Sequence, residues 1–405
     1  MAEDVLVVGA GHAAGQVVAT LRQKRFAGRI TLVGEEPYYP YQRPPLSKKF
    51  LAGKLAAERL YLKPASFYDD DQICVRLETR VDRIDREARQ VTTAGGDAID
   101  YDKLVLATGA RARTVSVPGC SLDGVHLLRG IADVERIRAS MSKGKRLVII
   151  GAGYIGLEVA AVCRQLGLDV TVVEMAERVM SRVVSPHVSD FYELQHTTHG
   201  VKFMLSTGLA AFEGRRRVKA VVTDEDQTIP ADFVVVGVGV IPNTELAEAA
   251  GLEVDDGIVV DDRCQTADAD IYAVGDCTSH PSAIYDRRLR LESVHNAVEQ
   301  AKTAADNICG TESRYSQVPW FWSDQYDLKL QIAGLSAGYD QVVLRGEPAT
   351  GSFSCVYLQD GSMIAVDAIN SARDFMQSKA LIEARAICDA ERISDPDVAL
   401  KDLLL

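Results

Sequence analysis

Two segments of the chain carry the same punctuation, and few folds can accommodate it. Residues 4–9 (DVLVVG) read as a buried strand, Gly9-x-Gly11-x-x-Ala14 as a tight turn, and about 12–24 as an apolar helix. A second strand at 29–33 runs up to Glu35. The order returns with a strand at 146–150, Gly151-x-Gly153-x-x-Gly156, a helix over 155–166 and a strand at 169–173 that leads into Glu174. Each small residue has a physical reason. The first glycine allows a sharp turn, the second lets backbone approach a diphosphate, and the third small residue lets helix and strand pack closely. The helix N-terminus then offers free N–H groups and a favourable dipole to an anion. Glu35 follows Gly9 by 26 residues and Glu174 follows Gly151 by 23, where a carboxylate can accept from ribose hydroxyls. One such turn is weak evidence, because ordinary strand-to-helix turns also use glycine. Two, each with its acid, predict two dinucleotide sites.

The rest of the chain fits around this repeat. Residues 35–50 are too proline-rich for a helix or a central strand. Strands are expected near 73–76, 80–86 and 103–107, with a hairpin at Gly95-Gly96, then at 232–238, 258–260 and 271–275, and a helix over about 293–309. The repeat interval of about 140 residues is too long for a solenoid and implies two related nucleotide-binding domains. After Trp320 the pattern becomes strands at 328–333, 340–345, 352–358 and 362–367 with a helix at 371–386, a smaller α+β domain.

Bulk properties exclude several classes. The formal net charge of −12 argues against nucleic acid as a general partner, which needs basic surface. Eight cysteines are scattered with no Cys-x-x-Cys and no zinc-type spacing, so reduced thiols and no metal site are expected. No apolar run approaches the roughly 20 residues of a membrane span. The first residues read directly as a strand with no leader pattern, so a cytoplasmic protein is expected.

Three further segments specify the cofactors by resemblance. Thr266 to Asp276 (TADADIYAVGD) resembles the second FAD signature of flavoproteins that bind two dinucleotides, in which the aspartate, here Asp276, bonds the ribityl chain. A helix N-cap is the alternative use of that aspartate. Ala107-Thr108-Gly109 and Gly237-Val-Gly239-Val-Ile-Pro242-Asn243 resemble the superfamily's two other strand ends. The loop Pro40-Tyr41-Gln42-Arg43-Pro44-Pro45-Leu46-Ser47-Lys48 has no cysteine, unlike disulfide reductases, peroxidases and water-forming oxidases. With Tyr154 to Glu158, Gly275-Asp276-Cys277, Arg290 to Ala297 and Pro319 to Gln325, it closely resembles the FAD-dependent NADH:ferredoxin (redoxin) reductases of bacterial cytochrome P450 and Rieske oxygenase systems. The resemblance runs from about residue 4 to 385.

The resemblance implies a glutathione reductase-like α/β fold: two Rossmann-like dinucleotide-binding domains plus a C-terminal α+β domain. The FAD-binding domain is expected at 1–112 and 245–320, the NAD-binding domain at 113–244, and the C-terminal domain at 321–405. FAD is then expected on Gly9, Gly11, Ala14, Glu35, Arg43, Lys48, Thr108, Gly109, Arg129, Asp276, Val294 and Trp320. NADH is expected on Gly151, Gly153, Gly156, Glu174, Arg182, Gly239 and Glu292. Glu174 favours a free 2′-hydroxyl and repels a 2′-phosphate, hence NADH over NADPH.

In the family, the lysine matching Lys48 lies by the flavin N5 edge and pairs with the glutamate matching Glu158, which makes these two the expected catalytic pair. A surface lysine and an unrelated helix glutamate are the alternative. Arg43 and Arg129 suit surface ion pairs as well as FAD. Trp320 suits either the flavin edge or an aromatic core, and Trp322 is expected in the core.

The implied reaction passes electrons from NADH through FAD to a [2Fe–2S] ferredoxin, expected to be acidic, and so indirectly to a P450 or Rieske oxygenase. Arg287, Arg288, Arg290 and Arg314 are candidates for a docking patch, or simply solvated charges. A rubredoxin reductase is the nearest alternative. A non-catalytic NADH sensor of the apoptosis-inducing-factor type is an alternative of another class.

Overall fold

The computed structural model describes residues 3–403. Their contacts divide the chain into two compact units. The first comprises the described residues up to Arg43, with Glu58–Arg111 and Ile241–Pro319. Its centre is a five-stranded parallel sheet in the order Ile271–Ala273, Lys103–Leu106, Val5–Val8, Ile30–Val33, Ile73–Arg76. A parallel sheet is covered on both faces, so its strands read as unbroken apolar runs, and all four residues of Val5–Val8 are buried. Alternate residues serve opposite cores. Val5 and Val7 face the helices His12–Gln23 and Val294–Ile308, packing with Val17, Val18, Ala301 and Ala304. Leu6 and Val8 join Ile84, Val91 and Ile99 of a three-stranded antiparallel layer.

The second unit comprises Pro44–Ala57, Ala112–Val240 and the described residues from Trp320 onward. Its parallel sheet runs in the order Lys202–Met204, Asp169–Val173, Arg146–Ile150, Phe233–Val236, Val125–Leu127. It too carries a three-stranded antiparallel layer, Leu209–Gly214, Val218–Thr223 and Thr228–Pro230. The C-terminal part is a five-stranded antiparallel sheet, Trp320–Gln325, Leu328–Gly334, Ser362–Ile369, Ser352–Gln359, Gln341–Glu347. Helix Ala372–Glu383 buries Phe375, Leu381 and Ile382. The expected fold class is found: two Rossmann-like layers and a C-terminal α+β layer.

Several elements do not follow from the sequence reading. Helices Ile131–Ser140 and Pro186–Thr198 and strand Trp320–Gln325 are present without having been expected. The proline-rich loop contains one short 3-10 turn, Pro44–Ser47, since proline is compatible with a first helical turn. Among the described residues no helix is long and apolar enough to cross a membrane.

Candidate functional site

In the first unit, the turn expected to hold FAD shows why each of its residues is small. Gly9 has φ +118°, and a Cβ there would lie 2.1 Å from the carbonyl oxygen of Ala107. The turn therefore backs directly onto the Ala107-Thr108-Gly109 strand end. Gly11 is different: no protein atom lies within 4 Å of a Cβ built on it. Ala14 is fully buried. The helix that follows has no side-chain cap and no acid in its first turn, so its first N–H groups remain available to an anion.

Other expected FAD residues gather in the same unit. A Cβ on Gly275 would meet the Cβ of Ala13 at 3.2 Å, which sets Asp276 beside the start of that helix. Asp276 is followed by strand Thr278–Ser282, so the N-cap alternative is excluded. Gln300, which the sequence did not single out, fixes this loop by accepting from the Gly275 N–H at 2.7 Å and the Thr278 hydroxyl at 3.0 Å. Thr108 donates to the Asn243 carbonyl at 2.7 Å, and Asn243 returns its amide to Thr108 O and its N–H to Gly109 O. Val294 opens its helix behind the Ser293 cap. Glu35 is exposed at the end of its strand. Its neighbour Glu36, not anticipated, holds Arg43 at 2.7 Å and accepts from the Tyr41 hydroxyl at 2.6 Å. The Arg43 guanidinium also lies 4.9 Å from the Tyr41 ring centre.

The second unit repeats the arrangement. Gly151 has φ +102° and a Cβ there would stand 2.5 Å from Gly237 O, while one on Gly156 would strike Gly151 O at 2.2 Å. A Cβ on Gly153 again meets nothing within 4 Å. The helix after it is also uncapped and without early acids. Both turns thus fit a diphosphate approached by backbone, with the second glycine of each clear of protein. Glu174 accepts from the N–H groups of Ala152 at 2.6 Å and Ala176 at 2.9 Å, so its carboxylate is fixed against the turn. Arg182 is exposed and its guanidinium reaches toward Gly239. Glu292 belongs to the first unit, where its carboxylate pairs with Arg290.

The same unit contains the sharpest polar centre. Glu158 sits in helix Tyr154–Gln165 among Leu157, Val159 and Ala160 and is 3% exposed. Lys48 Nζ lies 2.8 Å from its Oε1. Ser323 donates to the same oxygen at 2.6 Å, and the Ser47 hydroxyl donates to Oε2. A buried carboxylate is costly unless paired and hydrogen-bonded, and here it is both. Arg129 offers its backbone N–H to Asp133 at 2.9 Å. Trp320 is half-buried, with Lys379 Nζ 5.0 Å from its ring centre and the Phe375 ring at 5.8 Å. Trp322, expected in the core, is also only half-buried, against Trp320 and Phe321.

The four candidate docking arginines are mostly engaged within the chain. Arg288 donates to the carbonyls of Val260 and Ser279, Arg290 pairs with Asp256 and Glu292, and Arg314 pairs with Asp262 and Glu312. Carboxylates thus offset the charge of Arg290 and Arg314, whereas Arg288 meets carbonyl oxygens and keeps its charge. No cluster able to hold a metal ion occurs among the described residues.

The chain matches two family models, pyridine nucleotide-disulphide oxidoreductase over residues 3–301 and reductase C-terminal over residues 320–404. It is 45% identical over 399 residues to rhodocoxin reductase of Rhodococcus erythropolis, covering 98% of this chain and 93% of that one. It is 43% identical over 404 residues to a ferredoxin–NAD(P)(+) reductase of Sphingomonas sp., covering 99% and 97%. Among solved structures it resembles the covalent putidaredoxin reductase–putidaredoxin complex, with a TM-score of 0.96 at 43% identity over 99% of this chain and 98% of that one. The chain belongs to the pyridine nucleotide-disulphide oxidoreductase family.

Proposed function

We propose that this protein is an NADH-dependent ferredoxin reductase, in which NADH and two oxidised ferredoxins become NAD+, two reduced ferredoxins and a proton. The observation that carries the reading is the ion pair of half-buried Lys48 with buried Glu158, in a chain whose Pro40–Lys48 loop has no cysteine. Bound FAD supplies the conversion from two-electron to one-electron transfer that a nicotinamide cannot make. The protein supplies position and charge.

In this reading residues 1–112 and 245–320 bind FAD, 113–244 bind NADH and 321–405 complete the reductase. Gly9, Gly11 and Ala14 bring backbone N–H groups to the FAD diphosphate, with Glu35 toward its ribose. Asp276, Thr108, Gly109, Val294, Arg43 and Arg129 fix the remainder, and Trp320 borders the ring. Gly151, Gly153, Gly156 and Gly239 accept the NADH diphosphate, with Arg182 and Glu292 at its margins. Glu174 accepts from the adenine ribose and repels a 2′-phosphate, so NADH is preferred. Lys48 holds a cation where negative charge accumulates on flavin reduction, and Glu158 fixes that cation in a water-poor site, where such charges act strongly. The protein works in the cytoplasm, in keeping with eight free cysteines. Its ferredoxin in turn serves a P450 or Rieske oxygenase.

The test is NADH-driven reduction of a purified [2Fe–2S] ferredoxin, followed by the bleaching of its visible absorbance, beside a rubredoxin control. Rapid turnover with the ferredoxin supports the reading. Preference for rubredoxin would transfer it to the other acceptor. A long-lived reduced state with no turnover on either carrier would refute it in favour of an NADH sensor.

A further inference from the structure

Glu158 is held from a side that the reaction itself does not require. Its Oε1 accepts from both Lys48 and Ser323, and Ser323 belongs to the C-terminal sheet. Ser323 in turn accepts from the Gln325 amide nitrogen at 3.2 Å. The Gln325 amide oxygen meets His196 Nε2 at 2.8 Å, and His196 Nδ1 meets the Tyr326 hydroxyl at 3.1 Å. Tyr326 is capped by the exposed His199 ring, stacked at 3.8 Å. Glu158, Ser323, Gln325 and His196 are each no more than 3% exposed.

The direction of every link is determined. A carboxylate paired with Lys48 only accepts, so the Ser323 hydroxyl must donate to it. That leaves a Ser323 lone pair for the Gln325 amide N–H. The Gln325 oxygen then requires a proton on His196 Nε2. Burial holds the His196 pKa down at about 4, so the neutral ring has Nδ1 free to accept from Tyr326. All the donors therefore point toward Glu158. An amide does not pass protons along as a hydroxyl or imidazole does, so the chain orients and does not conduct.

We infer that Ser323, Gln325 and His196 are positioning residues for Lys48: from the C-terminal sheet and helix Pro186–Thr198 they lock the Glu158 carboxylate in one orientation, which fixes the lysine charge in place. The inference rests on the role proposed above for Lys48. A carboxylate held only by a flexible lysine would swing with it, and misplacement by about 1 Å costs heavily in a preorganised site.

The experiment uses the FAD-loaded protein and two readouts, stopped-flow reduction by NADH and the midpoint potential of the bound flavin against reference dyes. Ser323→Ala is expected to slow reduction about tenfold, the size of one lost charge-assisted hydrogen bond, and Gln325→Met, which loses a neutral bond one link away, about threefold. Both are also expected to lower the potential, and Ser323→Thr, which keeps the hydroxyl, to restore rate and potential. In a Lys48→Met background, Ser323→Ala should add nothing, because the cation it positions is gone. Additive effects in that double variant, or an unchanged potential in Ser323→Ala, would overturn the inference while the role of Lys48 stands. Unchanged kinetics and potential in Lys48→Met alone would overturn the role beneath it. If Ser323→Ala fails to retain FAD, Gln325→Met, one link further away, decides by the same comparison.

Discussion

Gly9 and Gly11 stand two residues apart in one turn and answer to different demands. Gly9 is required by the protein itself, through its positive φ and its approach to Ala107 O. Gly11 has no protein neighbour that a methyl group would strike. Gly9→Ala is therefore expected to lower the melting temperature of the FAD-free protein, from strain of about 1–3 kcal/mol plus the clash. Gly11→Ala should leave that melting temperature unchanged and still lower the flavin-to-protein absorbance ratio after purification. The same logic separates Gly156 from Gly153 in the second turn, read by stability for the first and by the KM for NADH for the second. At Glu174 the expectation concerns charge. Glu174→Ala should narrow the preference for NADH over NADPH at least severalfold in kcat/KM, because it removes a carboxylate that opposes a 2′-phosphate. These residues were legible in the sequence because each is dictated by its own backbone or by its place at a strand end.

Elements that pack through polar contacts were not legible. Helix Pro186–Thr198 and strand Trp320–Gln325 carry His196, Ser189, Ser323 and Gln325 on buried faces, where an apolar period would normally mark the inner side. Their partners lie far away in sequence: Glu158 is 165 residues from Ser323, and His196 is 129 from Gln325. The same strand-and-helix region contains Asp367, 1% exposed, whose Oδ2 accepts from Tyr357 at 2.5 Å, while Tyr357 accepts from the Ser185 N–H. Tyr154, Tyr192 and Cys355 also surround it. Burial pushes its carboxyl from 3.8 up to about 7. Between those values the native state keeps a proton that the unfolded chain has released. The contribution of Asp367 to stability is therefore full below about pH 4, falls as pH rises toward 7, and then levels off. Asp367→Asn removes this dependence. It should melt higher than the parent at pH 8, by at least about 2–4 °C, the effect of ~1 kcal/mol in a domain of this size, with the difference vanishing toward pH 4. A gap that does not vary with pH would contradict the assignment.

At the scale of the whole molecule, the net charge of −12 bears on docking of the ferredoxin proposed above, which is expected to be acidic. Charge steers encounter only where it is not already offset. Arg314, paired with Asp262 and Glu312, and Arg290, paired with Asp256 and Glu292, contribute little net field. Arg314→Ala is expected to leave the salt dependence of ferredoxin reduction within about twofold of the parent, measured as rate against ionic strength, since exposed pairs are worth little. A steep loss at low salt would return that arginine to the docking surface.

The sequence by itself determined the two nucleotide layers, their glycine turns and acids, the C-terminal α+β layer and the absence of a cysteine in the Pro40–Lys48 loop. All of these follow from local rules: a period of burial, a positive φ, a close backbone approach. Only the tertiary structure decided which oxygen of Glu158 meets Lys48, that Ser323 and Ser47 join it, and that Glu36 rather than Glu35 takes Arg43. It also decided that Arg290 pairs with Asp256 and Glu292, and Arg314 with Asp262 and Glu312. Such pairings join residues whose types are unremarkable alone, and no periodicity of the chain records which side chains folding will bring to hydrogen-bond distance.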